Sequence, residues 1–191
     1  MKKTVYMSTS SDILHEGILN VLHKASELGD VVVGVLSDEA IASYKRVPLL
    51  DVEARKAIYS DLKGVTEVVV QRSLSYKDVL IDIKPDYVVH GDDWRSGIQS
   101  QIRDEVIETI GQWGGELIEV PYTEGVSATS LEHDLKSFYG SPDNRRAALR
   151  KLIKLKKPIR IIEASNGLSG LIVENASAVD SKTGLVRTYD G

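Results

Sequence analysis

Four short segments of this 191-residue chain hold the residue types that handle phosphate esters. The first is Ser8-Thr-Ser-Ser-Asp-Ile-Leu-His-Glu-Gly-Ile18. It follows an apolar run and opens a stretch with helical spacing. It should therefore form a helix N-terminus, where unpaired amides and the positive dipole end attract anions. Thr9, Ser10 and Ser11 add hydroxyl donors, and His15 adds an imidazole in the first turn. Gly17 leaves a gap that lets a nucleotide approach the backbone. The plainer alternative is that Ser11 and Asp12 only cap the helix. The second segment, Gly91-Asp-Asp-Trp94, offers two carboxylates as acceptors and an indole as a stacking surface, or else a capped turn. The third is Tyr122-Thr-Glu-Gly-Val-Ser-Ala-Thr129. Here Thr123, Glu124, Gly125, Ser127 and Thr129 precede another helix, as an anion-binding N-terminus or as a start capped by Ser127 or Thr129. The fourth is Tyr44-Lys-Arg-Val-Pro48 with Arg55 a little further on. Lys45, Arg46 and Arg55 are cations suited to neutralising a phosphoryl group in transfer. Taken singly, each reads as an ordinary surface charge.

These segments need a frame to bring them together, and the apolar pattern supplies one. Val- and Ile-rich runs at Thr4–Met7, Val31–Leu36, Val68–Val70, Tyr87–Val89 and Leu117–Val120 read as buried strands. Between them, Leu14–Leu28, Val52–Leu62, Tyr76–Ile83 and Ile98–Trp113 have helical spacing, with Leu14, Ile18, Leu22 and Ala25 on one face. The alternation implies an α/β fold, a Rossmann-like five-stranded parallel sheet covered on both faces. Ligands of such sheets sit at the carboxyl ends of the strands, and three of the four segments follow a strand directly.

Composition narrows the function classes. Apolar residues at 42% and charged residues at 27% describe an ordinary globular chain. A net charge of −4 speaks against a nucleic-acid binder, which carries a basic footprint. With no cysteine, thiol nucleophiles, disulfides and Cys–zinc sites are excluded, which fits a cytoplasmic setting. The N-terminus has no signal-peptide core, and no stretch approaches the roughly 20 apolar residues of a membrane span.

The pattern changes after about Phe138. Lys136 to Lys157 carries eight Lys or Arg against one Asp. Arg145–Lys157 is expected to form a basic amphipathic helix with Leu149, Leu152, Ile153 and Lys156 on one face, read as a solvated connector rather than a membrane anchor. Pro158 should end it, and Ile159–Ile162 reads as a strand. The polar tail from Ser177 completes no further unit. The expected division is a nucleotide-binding domain over 1–138, a basic linker over 139–157, and over 158–191 the start of a second domain that cannot bury a core alone.

Taken together, the four segments resemble the cytidylyltransferase family, most closely its glycerol-3-phosphate members, over about Lys2 to Leu135. That family reads Gly-Thr-Phe-Asp-x-x-His-x-Gly-His, then a Lys-bearing loop and an Arg, then Gly-Asp-Asp-Trp, and finally Arg-Thr-Glu-Gly-Ile-Ser-Thr-Thr. The resemblance implies that His15 and Ser10 contact the CTP phosphates. Lys45, Arg46 and Arg55 would hold the triphosphate. Gly91, Asp92, Asp93 and Trp94, with Tyr122, Thr123, Glu124, Gly125, Ser127 and Thr129, would hold the nucleoside. It also implies a homodimer, and magnesium carried on the nucleotide phosphates rather than in a protein cage. The segment Ile161-Ile-Glu-Ala-Ser-Asn-Gly-Leu-Ser-Gly-Leu-Ile-Val-Glu174 resembles the start of phosphoenolpyruvate mutase, a truncated piece of a β/α barrel. That order of domains is similar to bifunctional enzymes of fosfomycin biosynthesis, whose first domain transfers CMP to 2-hydroxyethylphosphonate.

Three positions depart from the family pattern. Ile18 stands for the second histidine, Tyr122 for the signature arginine and Ala128 for a hydroxyl. Each lost charged donor would cost about 2–4 kcal/mol in the transition state if nothing replaced it. The expected activity is CMP transfer from CTP to a phosphonate with release of pyrophosphate. The rivals are a non-catalytic nucleotide-binding or scaffold domain, and CMP transfer to an alcohol phosphate such as glycerol 3-phosphate.

Overall fold

The computed structural model describes residues 2–44, 47–95, 99–121, 142–155, 159, 163–179 and 186–188. Five strands, β1 (Thr4–Thr9), β2 (Asp30–Leu36), β3 (Val65–Gln71), β4 (Tyr87–Gly91) and β5 (Glu116–Val120), form one parallel sheet in the order β3-β2-β1-β4-β5. The expected sheet is present, with each run longer than its apolar core.

Side chains alternate between the two faces, as the period of a strand demands. Val5, Met7, Val31, Val33 and Val35 pack with Ile18, Leu22 and Ala25 of α1 (Glu16–Leu28) and Tyr59 of α3 (Val52–Ser60). Tyr6, Val32 and Val88 pack on the other face against Tyr76, Leu80 of α4 (Lys77–Ile83), Trp94, and Val106 and Ile110 of α5 (Gln99–Gly111). Tyr6 reaches across β2. An ideal Cβ on Gly34 would lie 1.8 Å from its hydroxyl, so only glycine fits there. The chain builds outward from β1 twice, first through β2 and β3, then through β4 and β5. The reversal leaves a crevice at the carboxyl ends of β1 and β4, the place where such sheets take ligands.

Several expectations change. α1 starts at Glu16, two residues late, so Leu14 lies before the helix and is exposed. A short helix, α2 (Asp38–Tyr44), follows β2 where none was expected; at seven residues it is too short to show a periodicity. α4 stops at Lys84, which takes the left-handed conformation (φ 49°) ahead of Pro85.

The basic helix exists as α6 (Pro142–Leu155), but its faces differ from the expectation. Leu149 and Ile153 are exposed, whereas Lys151, Leu152 and Leu155 are half-buried, and the helix touches α2. Its Lys151 reaches the carbonyls of Pro48 and Leu49. Ile159 lies in no element, and the rest of the expected strand, 160–162, is outside the described residues. α7 (Gly167–Asn175) begins with a capping box between Asn166 and Ser169. In the tail, β6 (Ser177–Val179) pairs antiparallel with β7 (Val186–Thr188), where no unit was expected. No described helix is long and apolar enough to cross a membrane.

Candidate nucleotide site

The turn between β1 and α1 is tied down residue by residue. Thr9 is buried, and its Oγ1 lies 3.0 Å from the Tyr59 hydroxyl and accepts the Ser11 amide at 3.2 Å. Thr9 was expected as a ligand donor; here its hydroxyl locks the turn to α3. Ser11 does not cap the helix either: its Oγ donates to the Ile13 carbonyl at 2.8 Å. The Asp12 carboxylate accepts the amides of Leu49 and Leu50, which joins this turn to the strap between α2 and α3. The helix N-cap is His15, in extended conformation, and its side chain makes no capping bond. The first intrahelical bonds to its carbonyl come from Ile18 and Leu19, at 3.0 and 3.2 Å. The amides of Glu16 and Gly17 thus stand ahead of the helical ladder, at the end of β1, as an anion-binding turn requires. Ser10 is half-buried just after β1. Ile18 is 9% exposed and packs into the core with Met7 and Val89, so the position of the family's second histidine is spent on packing.

Arg55 was expected to meet phosphate from a helix start. In this structure it is fully buried, on the helix where it was expected. Nη2 donates to Asp38 Oδ1 at 2.5 Å and Nε to the Leu50 carbonyl at 3.3 Å, while Nη1 is buried with no hydrogen bond among the described residues. Asp38 opens α2 at the carboxyl end of β2 and was not singled out from sequence, although the strand-end rule that found the other segments points there too. Beside this pair, burial pushes the Tyr59 hydroxyl up to about 12, so it stays protonated.

The Gly91–Trp94 segment follows β4 as a 3-10 turn, Asp92–Arg95. Gly91 and Asp92 are half-buried at the strand end, and Asp93 is exposed. Trp94 corrects the expectation of a stacking platform. It is 1% exposed, its ring is stacked on His90 at 3.8 Å, and its Nε1 donates to Glu119 Oε1 at 3.0 Å. A buried indole holds the turn and cannot receive a base. His90, also missed, lies 3.8 Å from Asp93 Oδ1 with its Nδ1 2.8 Å from the Gly91 carbonyl. Burial lowers its pKa below the ordinary 6.5, against the opposing pull of Gly91, Asp93 and Glu119, so the ring is neutral at pH 7.

Glu119 on β5 organises this edge. It accepts from Arg103 at 2.9 and 3.1 Å, from Arg95 at 3.0 and 2.6 Å, and from Trp94. Its sequence signal was an acid inside an apolar strand, which demands a partner. Hydrogen bonds from the two arginines hold its carboxyl far below the ordinary 4.5. Such a group stabilises fully above its unfolded pKa, and the benefit is lost as pH falls below about 4.5 towards the folded value. Glu119→Gln is expected to cost about 2 kcal/mol at pH 7, toward the low side for a broken buried pair because Arg95 is largely exposed. Urea denaturation at pH 7 and pH 3 checks this. The variant should lose less stability than wild type between the two, and equal losses would exclude the role.

Lys45 and Arg46 lie outside the described residues, as do Tyr122, Thr123, Glu124, Gly125, Ser127, Ala128 and Thr129. Among the described residues no cluster of acids and histidines could cage a metal. The 480 Å³ groove lined by Lys77, Gln101, Asp104, Glu105, Glu108, Thr109 and Gln112 runs along α5 beside the start of α4 and includes no residue of the four segments.

The five-stranded parallel sheet that reverses at β1, with helices on both faces, is a Rossmann-like nucleotidyltransferase fold. Residues 7–133 match the cytidylyltransferase-like family, and the chain belongs to it. It is 31% identical over 137 residues to glycerol-3-phosphate cytidylyltransferase of Bacillus subtilis, a match covering 71% of this chain and 98% of that protein. It is 34% identical over 129 residues to ethanolamine-phosphate cytidylyltransferase of Dictyostelium discoideum, covering 66% of this chain and 35% of the relative. It is 29% identical over 144 residues to the bifunctional protein HldE of Desulfatibacillum aliphaticivorans, covering 73% and 28%. The chain thus spans about a third of these last two relatives. Among solved structures, the lipopolysaccharide core biosynthesis protein of Thermoplasma volcanium GSS1 aligns over 64% of this chain and 98% of its own, with a TM-score of 0.54 and 25% identity.

Proposed function

We propose that the protein transfers CMP from CTP to a phosphonate of the 2-hydroxyethylphosphonate kind. An acceptor oxygen attacks the α-phosphorus in line, the bond from that phosphorus to the bridging oxygen breaks, and pyrophosphate leaves. The observation that carries the transfer is the placement of His15 and the first-turn amides of α1 at the β1 end of the crevice, in a chain of the cytidylyltransferase-like family. Chemistry of this type asks the protein mainly to position and neutralise. His15 serves the α/β phosphates, and Lys45, Arg46 and Arg55 the triphosphate. Asp92, Asp93 and the Tyr122–Thr129 segment serve the nucleoside. Magnesium enters on the phosphates, in keeping with a donor set that forms no cage among the described residues. The phosphonate acceptor is favoured by the resemblance of Ile161–Glu174 to a phosphoenolpyruvate mutase start. A homodimer in the cytoplasm is the setting that suits this reading.

Calorimetric titration with CTP, ATP, GTP and UTP should give a preference for CTP of tenfold or more; equal binding would sink the reading. Pyrophosphate release with 2-hydroxyethylphosphonate, glycerol 3-phosphate and ethanolamine phosphate then separates the acceptors. No release with any of them would leave a nucleotide-binding or scaffold domain.

A further inference from the structure

The strap between α2 and α3 is gripped from two sides by opposite charges. On one side the Asp12 carboxylate accepts the amides of Leu49 and Leu50. On the other the Lys151 ammonium donates to the carbonyls of Pro48 and Leu49, at 2.6 and 3.1 Å. These four groups belong to only two peptide units, Pro48–Leu49 and Leu49–Leu50. Each unit therefore has its N–H on a carboxylate and its C=O on an ammonium, which aligns both peptide dipoles between the two charges. Charge-assisted hydrogen bonds of this kind are about twice as strong as neutral ones. The next carbonyl, that of Leu50, receives Arg55 Nε. Asp51 then caps α3 by accepting the Ala54 amide at 2.9 Å.

We propose that Lys151 of α6 is a positioning residue for the nucleotide site, acting through the strap on Arg55 and on the β1–α1 turn. The proposal rests on the CMP-transfer reading for its catalytic consequence, but the mechanical link stands on the contacts above. Lys151 lies on α6, beyond the span that matches the family, 7–133. Its half-buried position against the strap separates it from Lys154, which is exposed on the same helix. The link also ties the segment that follows the nucleotidyltransferase domain to the state of its turn: CTP that orders the turn should tighten the docking of α6, and the reverse.

The test uses the full chain and three variants, Lys151→Met, Lys151→Arg and the control Lys154→Met. Lys151→Met keeps the aliphatic stem and removes the charge. Amide hydrogen exchange at Leu49 and Leu50 should speed up about tenfold in Lys151→Met and stay within threefold of wild type in the other two. KM for CTP should rise about tenfold in Lys151→Met with kcat within threefold, because the residue orders the binding turn and touches no reacting atom. Lys151→Arg, which keeps a cation for the two carbonyls, should restore both. Exchange and KM in Lys151→Met equal to those of Lys154→Met overturn the proposal while leaving CMP transfer intact. If wild type turns over no nucleotide, the CMP-transfer reading fails instead, and the exchange rates alone decide the link.

Discussion

Replacing His15 with asparagine is expected to make the protein slightly more stable and nearly inactive. His15 is the N-cap of α1, in the extended conformation a cap requires, yet its side chain makes no capping bond. Asparagine is among the best capping residues and should add about 0.5 kcal/mol by accepting a first-turn amide. On the proposed CMP-transfer reading, the same change takes the imidazole away from the phosphates. Loss of one preorganised donor to a developing charge costs about 2.7–4 kcal/mol, or roughly 10²–10³ in kcat. Because that donor matters more in the transition state than in the ground state, KM for CTP should stay within threefold. The opposed movement of stability and rate identifies a helix start kept suboptimal for function. Thermal unfolding and pyrophosphate release on the same preparation measure both. A variant that keeps kcat within threefold would remove His15 from the chemistry.

How far the sequence showed this can be followed at individual residues. The sheet was legible because each strand carries a short apolar run, rich in Val in β2 and β3, where helices cover the sheet. The position of Gly91–Trp94 was legible for the same reason, since it follows such a strand. The role of Trp94 was not. Whether an indole faces a ligand or the core depends on Glu119 and Arg103, a strand and a helix away, and spacing carries no information about such partners. Thr9 failed in the same way: it sits where a phosphate donor would, but Tyr59 from α3 takes its hydroxyl. Ile18 reads differently once placed. As a missing histidine it was only a loss, whereas in the fold it supplies part of the apolar contact between α1 and the sheet. The short α2 had no periodic signal, yet it carries Asp38, the partner that decides what Arg55 can do.

That partnership sets the second large effect. Arg55 has no solvent exposure and the Asp38 side chain only 13%, so neither charge has water to fall back on. Removing one partner strands the other, which costs about 3–5 kcal/mol, whereas removing both and filling the space is often neutral. Arg55→Met should therefore lower stability by about 3 kcal/mol, a fall in Tm of roughly 6–12 °C for a chain of this size. Asp38→Leu should be at least as damaging, because it strands a guanidinium whose Nη1 is already buried with no hydrogen bond among the described residues. The double variant should recover most of the loss, with an interaction energy of about 2 kcal/mol or more from the cycle. A pair that served only to lend a cation to phosphate would behave otherwise. Each single change would then leave Tm within about 2 °C and alter CTP affinity alone. Recovery of stability in the double variant without recovery of CTP binding would show both roles in one residue: the ion pair holds the α2–α3 junction, and the guanidinium it fixes in place serves the triphosphate. Additive losses, with an interaction energy below about 0.5 kcal/mol, would mean that the two charges do not depend on each other and that α2 contributes nothing to the site through Asp38.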